Sequence, residues 1–227
     1  MKVSFTPSVA HPWAWFPTGT ASPTPPTISP DGAALSFKTV PKTDWWRTPG
    51  IWNSDGLAYV VPVRAEAGEG KELDMEASVK IQGEWQVQCL GIFDSLCRWK
   101  LVSSVSASDQ AALFLRFSDS LWIKTGIEFT EGQSWASVVI TNRWSDWSLL
   151  PIPTESSLPL KFSFRLKGHH LEVFLGEMMI REVNGFAIDA SELERKSGAV
   201  GVMGCSPKNE SGTMVSFQDF ELRAGGV

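Results

Sequence analysis

In the stretch Leu-Trp-Ile-Lys-Thr-Gly-Ile-Glu-Phe, residues 121–129, the chemically capable side chains fall on alternate positions: Trp122, Lys124 and, beyond Gly126, Glu128. Alternate residues of an extended strand share a face, so an indole, an ammonium and a carboxylate line one side. Ile123, Thr125, Ile127 and Phe129 line the other, which reads as core. Indole rings stack on flat or sugar-like surfaces, while the two charges hydrogen-bond polar substituents. Arg116 on the preceding apolar run and Ser137 and Thr141 on the following one join this set if consecutive runs are sheet neighbours. Arg116 adds a guanidinium fork suited to a carboxylate or phosphate. The combination suits a polyhydroxylated or anionic small ligand. The alternative is a solvated face whose Lys124–Glu128 or Arg116–Glu128 pairs are each worth under about 1 kcal/mol.

Two further clusters pose the same choice. In Asn142-Arg143-Trp144-Ser145-Asp146-Trp147-Ser148, Asp146 either caps its own backbone or forms a groove rim with Trp147, which serves equally well as a plug at the sandwich end. In Asp44-Trp45-Trp46-Arg47, adjacent tryptophans on a strand point to opposite sides. One of them, Trp46, then faces outward with Asp44 and Arg47 as a second wall.

Catalysis asks for more. Glycoside hydrolysis needs two carboxyls about 5–9.5 Å apart, and these runs offer only Glu128 with Asp146 as its possible partner. No nucleophile elbow, zinc-protease helix or phosphate loop occurs. His169 and His170 sit at a hairpin tip and His11 stands alone, so no histidine reads as a metal ligand or cofactor anchor. Cys89, Cys97 and Cys205 cannot all pair and match no metal spacing. They read as reduced thiols in a cytoplasmic protein. The sequon at Asn209 reads as incidental.

The elements that must position these residues are strands. Over 227 residues the chain is 43% apolar and 20% charged, an ordinary globular balance. The formal net charge of -5 argues against nucleic acid or an anionic membrane as partner. No apolar run has the length of a membrane span, and the first residues lack the apolar block of a secretory signal. Residues 1–30 are rich in Pro and Thr and read as an irregular lead-in whose Trp13 and Trp15 pack on the body. From residue 31 onward a single domain follows. Its short alternating runs occupy 34–40, 57–63, 73–81, 111–117, 121–129, 135–141, 160–166, 171–175, 199–204 and 215–222, with turn residues between them. Phe162, Phe164 and Leu166 face in, while Lys161, Ser163 and Arg165 face out. The one helical candidate is a capped turn at Ser191–Gly198. The pattern predicts an all-β, two-sheet antiparallel sandwich.

Several stretches, taken in order, resemble the concanavalin A-like family called domain of unknown function 1349, of the regulation-of-enolase type. They are Thr43-Asp44-Trp45-Trp46-Arg47-Thr48, Asp109-Gln110-Ala111-Ala112-Leu113-Phe114-Leu115-Arg116, Trp122 to Glu128, Ser137-Val138-Val139 with Thr141, Ser145-Asp146-Trp147-Ser148, and Gly201 to Pro207. The resemblance implies a jelly roll with a concave sheet and no assigned reaction. Residues 89–108 depart from it, as either a lineage-specific loop or a translated intron, and sequencing the transcript separates the two.

The reading is a non-catalytic jelly roll binding a carbohydrate or similar polar ligand on its concave face. Trp122 stacks, Arg116, Lys124, Glu128 and Thr141 hydrogen-bond, and Asp44, Trp46, Arg47, Asp146 and Trp147 form the walls. The alternatives are a regulatory protein acting on a metabolic enzyme such as enolase, and a glycan-active enzyme using Glu128 and Asp146.

Overall fold

A computed structural model of the chain describes residues 1–17, 22, 24–64, 73–85, 108–153, 156–186 and 197–225. These residues form strands β1 (Ala14–Phe16), β2 (Thr27–Ile28), β3 (Ala34–Lys38), β4 (Trp45–Thr48), β5 (Ile51–Ser54), β6 (Leu57–Arg64), β7 (Asp74–Gly83) and β8 (Asp109–Ser118). They continue with β9 (Leu121–Thr130), β10 (Gln133–Asn142), β11 (Trp144–Pro151), β12 (Leu160–Lys167), β13 (His170–Leu175), β14 (Met178–Val183), β15 (Ser197–Cys205) and β16 (Met214–Gly225). No helix occurs among the described residues. Residues 191–196 of the expected capped turn and residues 89–107 of the atypical stretch fall outside them; Gly198, expected to end the turn, lies in β15.

One seven-stranded sheet runs β1-β6-β15-β8-β9-β10-β11, a second runs β14-β13-β12-β7-β16-β3-β2, and β4 and β5 form a separate hairpin. The long-range neighbours β6–β15–β8 and β12–β7–β16 make this a jelly-roll sandwich rather than a simple meander. Its core is what period-two alternation demands. Ile123 and Ile127 of β9 and Leu113 and Leu115 of β8 pack against Phe162, Phe164 and Leu166 of β12 and against Val79 and Ile81 of β7. The expected inward and outward faces of β12 hold.

The Pro-rich lead-in carries more structure than its composition shows. Val3, Phe5 and Trp13 enter the core, Trp13 stacks on Tyr59 at 5.0 Å, and Trp15 meets Phe37 edge-on. Strand β1 covers the outer edge of β6, and β2 covers that of β3. Both add-on strands shorten an otherwise exposed sheet edge.

A second correction concerns the stretch after the 135–141 run, where Asp146 and Trp147 were expected as a cap, rim or plug at the sandwich end; residues 144–151 form one more strand. They are strand β11, paired with β10 from Asn142↔Trp144 to Trp135↔Pro151. The turn is a single residue, Arg143, with φ at 66°. Sequence patterning missed it because the residue in the left-handed conformation is an arginine, not the glycine or asparagine that signals such a turn.

Candidate functional site

The outer face of the first sheet is set by register. Across β8, β9 and β10 the rows Arg116–Trp122–Thr141, Phe114–Lys124–Val139 and Gln110–Glu128–Trp135 stand side by side. Next to them β15 and β6 contribute small residues, Ala199, Gly201 and Ala58. Val60 and Met203 share this face, and Trp45 of the β4–β5 hairpin packs into the cluster they form.

Trp45 of that hairpin is completely buried. It meets Trp122 edge-on at 5.6 Å and Phe114 at 4.8 Å, and donates its indole N–H to the Gly56 carbonyl at 2.8 Å. With Val139, Met203, Cys205 and half-buried Trp46 they form a second hydrophobic core outside the sandwich. Trp122 is therefore 1% exposed and cannot stack on a ligand. The alternation placed it on the correct face; the hairpin then covered that face.

Lys124 is 3% exposed, and its Nζ pairs with Asp44 Oδ1 at 2.9 Å, beside the Cys205 thiol. Burial pulls the ammonium down, but the charge and hydrogen bond of Asp44, helped by Glu128, outweigh it, so Lys124 stays above its usual value and charged. Burial also pushes the Cys205 thiol well above the ordinary range, which leaves it protonated and donating to Gln110. Glu128 is covered as well. It accepts hydrogen bonds from Ser137 Oγ at 2.9 Å and from the Trp147 indole at 3.2 Å. Burial raises its pKa, and Lys124, Ser137 and Trp147 offset only part of that.

The remaining expected site residues divide. Thr141 is buried and bonded to Ser145 at 2.7 Å. Arg116 lies three ladder rows from Glu128 and is held by Asp119, so it does not converge with Glu128. Asp146 stands opposite Ile140, a core residue, and its carboxylate pairs with Arg181 of the second sheet. Glu128 and Asp146 therefore lie on opposite faces of one sheet and cannot flank a single glycosidic bond. Trp147, by contrast, is 47% exposed directly beside Glu128.

Two exposed rings escaped the sequence reading. Trp52 of β5 is 57% exposed and Trp144 of β11 is 41% exposed. Arg47 lies between them, its guanidinium carbon 4.4 Å from the Trp52 ring and 5.8 Å from that of Trp144. The Arg143 guanidinium carbon lies 5.6 Å from the Trp144 ring. The Arg47 backbone N–H donates to Ser145 Oγ at 2.9 Å, which seats the hairpin alongside β11. The Pro49-Gly50 pair between Thr48 and Ile51 is the hairpin signal that could have found Trp52.

Asp109 was also missed as a structural anchor. It is fully buried and accepts from Ser206 at 2.6 Å, Thr213 at 2.8 Å and Asn209 at 3.0 Å. The asparagine of the sequon is thus an interior hydrogen-bond donor. An open groove of about 550 Å³ lies elsewhere, on the outer face of the second sheet, around Ser78, Ser163 and Phe174. Its long side chains neutralise one another: Arg223 pairs with Asp74, Arg165 with Glu76 and Lys161 with Glu221.

The sequence model of a family described as "Protein of unknown function (DUF1349)" matches residues 98–224. The chain belongs to the DUF1349 family. Its matched stretch runs from β8 into β16, so the DUF1349 match includes the Trp122–Lys124–Glu128 face and the Trp147 strand. A relative, "Regulation of enolase protein 1" of Saccharomyces cerevisiae, is 28% identical over 124 residues, 55% of this chain and 50% of that protein. The chain spans about half the length of the curated relatives it matches. A crystal structure of a functionally unknown protein from Saccharomyces cerevisiae superposes with a TM-score of 0.68 at 22% identity, covering 95% of this chain and 97% of that one. An engineered GH43 glycoside hydrolase superposes at TM-score 0.60 and 12% identity, covering 99% of this chain and 41% of the enzyme. At these identities the likeness establishes the jelly-roll fold.

Proposed function

We propose that the chain is a non-catalytic jelly-roll domain that binds a carbohydrate or similar polar ligand along the outer surface of β11. The observation that carries this reading is Trp147: the residue is exposed while its indole N–H is fixed on a buried carboxylate. An exposed indole held in one orientation has already lost the freedom that ligand binding would remove, so stacking is cheaper. Glu128 acts here as a positioning residue, with Ser137 completing its hydrogen bonds.

A thermal-shift and calorimetric screen of oligosaccharides tests the proposal. Trp147→Ala should lower affinity about tenfold or more while the fold persists. Glu128→Ala should weaken binding through the indole, and Glu128→Gln, which keeps an acceptor, should restore most of it. No response to any saccharide or sugar acid would overturn the reading.

The relationship to the yeast regulation-of-enolase protein favours a second reading, a regulatory protein acting on a metabolic enzyme such as enolase. The same exposed tryptophans with Arg47 would be its contact surface, since Trp and Arg dominate interface energetics. Co-sedimentation with enolase, lost in Trp52→Ala and Trp147→Ala, tests this reading; no association at tens of micromolar sinks it.

A further inference from the structure

Most described arginines are neutralised. Arg116 reaches Asp119, Arg165 reaches Glu76, Arg181 reaches Asp146, and Arg223 reaches Asp74. Among the described residues, Arg47 and Arg143 pair with no carboxylate. Both lie instead against the Trp144 ring, and Arg47 also against Trp52. In a chain with a formal net charge of -5 these two unneutralised guanidiniums stand together beside exposed indoles. Arg47 is held in place by neutral groups, its backbone N–H on Ser145 and one Nη1 hydrogen on the Asp119 carbonyl at 3.1 Å. Its Nε is buried without a partner. Fixed position, retained charge and unspent Nη hydrogens are what a guanidinium needs to receive an anion bidentately.

We propose that this Arg47–Trp144–Arg143 row is the anion-recognising half of the ligand site, and that the saccharide it takes is carboxylated, a uronate type. The inference rests on the saccharide reading above and adds the ligand's charge. Flat sugar faces lie on Trp52 and Trp147, and a carboxylate bridges to Arg47, with Arg143 adding attraction from beside Trp144. A neutral sugar would crowd the Arg47 charge and supply no counter-charge. A dense polyanion would meet the acidic remainder of the protein, which favours one charge per flat unit.

The test compares an oligogalacturonate trisaccharide with its methyl ester, which keeps the ring faces and removes the charge, by calorimetry on the full chain at low salt. The free acid should bind at least about tenfold tighter than the ester, and added salt should narrow the gap. Arg47→Met should reduce the acid to the ester's affinity. Arg143→Asn, which tolerates the left-handed turn, should reduce the preference partially and serves as a second probe if Arg47→Met disturbs the hairpin. Trp147→Ala should weaken acid and ester alike. Equal binding of acid and ester, or binding of neutral saccharides only, overturns the charge assignment and leaves the saccharide reading standing. Binding of neither by a folded protein that also ignores neutral glycans overturns both. Arg47-dependent binding of an acidic peptide in place of any saccharide overturns the ligand class.

Discussion

Glu128 binds its proton more tightly in the folded protein than in the unfolded chain, because burial penalises the carboxylate. The stability it contributes is complete below the unfolded value of 4.5 and is lost as pH rises through the folded one. In urea denaturation across a pH series, the wild type should lose stability relative to Glu128→Gln just above pH 4.5. Superimposable pH dependence would refute the shift. Lys124 differs in that the fold favours its charged form, which Asp44 holds. Asp44→Ala leaves a buried ammonium unpaired and should cost about 3 kcal/mol by chemical denaturation. The double variant with Lys124→Met should cost less than the two single changes summed.

The hairpin β4–β5 is the element that decides what the first sheet can do. It places Trp45 over Trp122 and Phe114, and it places Trp52 and Arg47 next to β11. Trp45→Ala removes the centre of the second core and should cost about 3–5 kcal/mol, read as a lower urea midpoint. Because the hairpin then loses its seat, the same variant should also free Trp122 to iodide quenching. Gly126, in the middle of β9, answers a different constraint. A Cβ there would lie 2.0 Å from the Ala111 carbonyl oxygen, so Gly126→Ala must push β8 and β9 apart. The expected loss is at least about 2 kcal/mol, with Trp147 fluorescence reporting the displaced face.

Across the whole molecule the jelly-roll crossovers bind distant segments together. Asp219, at the register shift of β16, holds Lys2 at 2.9 Å and Lys80 at 2.8 Å. Hydrogen bonds from these two lysines lower its pKa from 3.8 to about 2. Its stabilisation is present above pH 3.8 and is lost as pH falls through about 2. Acid unfolding followed by near-ultraviolet circular dichroism should therefore show a limb in that window that Asp219→Asn lacks. An unchanged limb would assign it to other carboxylates.

Alternation made the fold legible. Ten of the runs read as strands are strands, because a residue that must be buried on one face and wet on the other imposes period two. The elements that patterning missed lack that signal. β1 and β2 are three and two residues long, β5 is parted from the Trp45–Trp46 strand only by a Pro-Gly turn, and β11 follows a turn built on Arg143. Site legibility followed the same division. Lys124 and Glu128 were recognised as unusual for an outer face, and Trp147 as conspicuous. That Asp44 belongs to Lys124 was not visible, since 80 residues separate them.

The sequence by itself determined the sandwich class, the core face of each long strand, and the grouping of Trp122, Lys124 and Glu128 on one side of β9. Only the tertiary structure decided that this side is closed over by a hairpin, that Asp146 faces away from Glu128, and that solvent meets the protein through Trp147, Trp144 and Trp52. The physical reason is that periodicity is a local property of one strand and separates its two faces. What covers a face is set by long-range packing, here a tryptophan hairpin seated on a hydrophobic cluster drawn from several strands, which no single strand's pattern encodes.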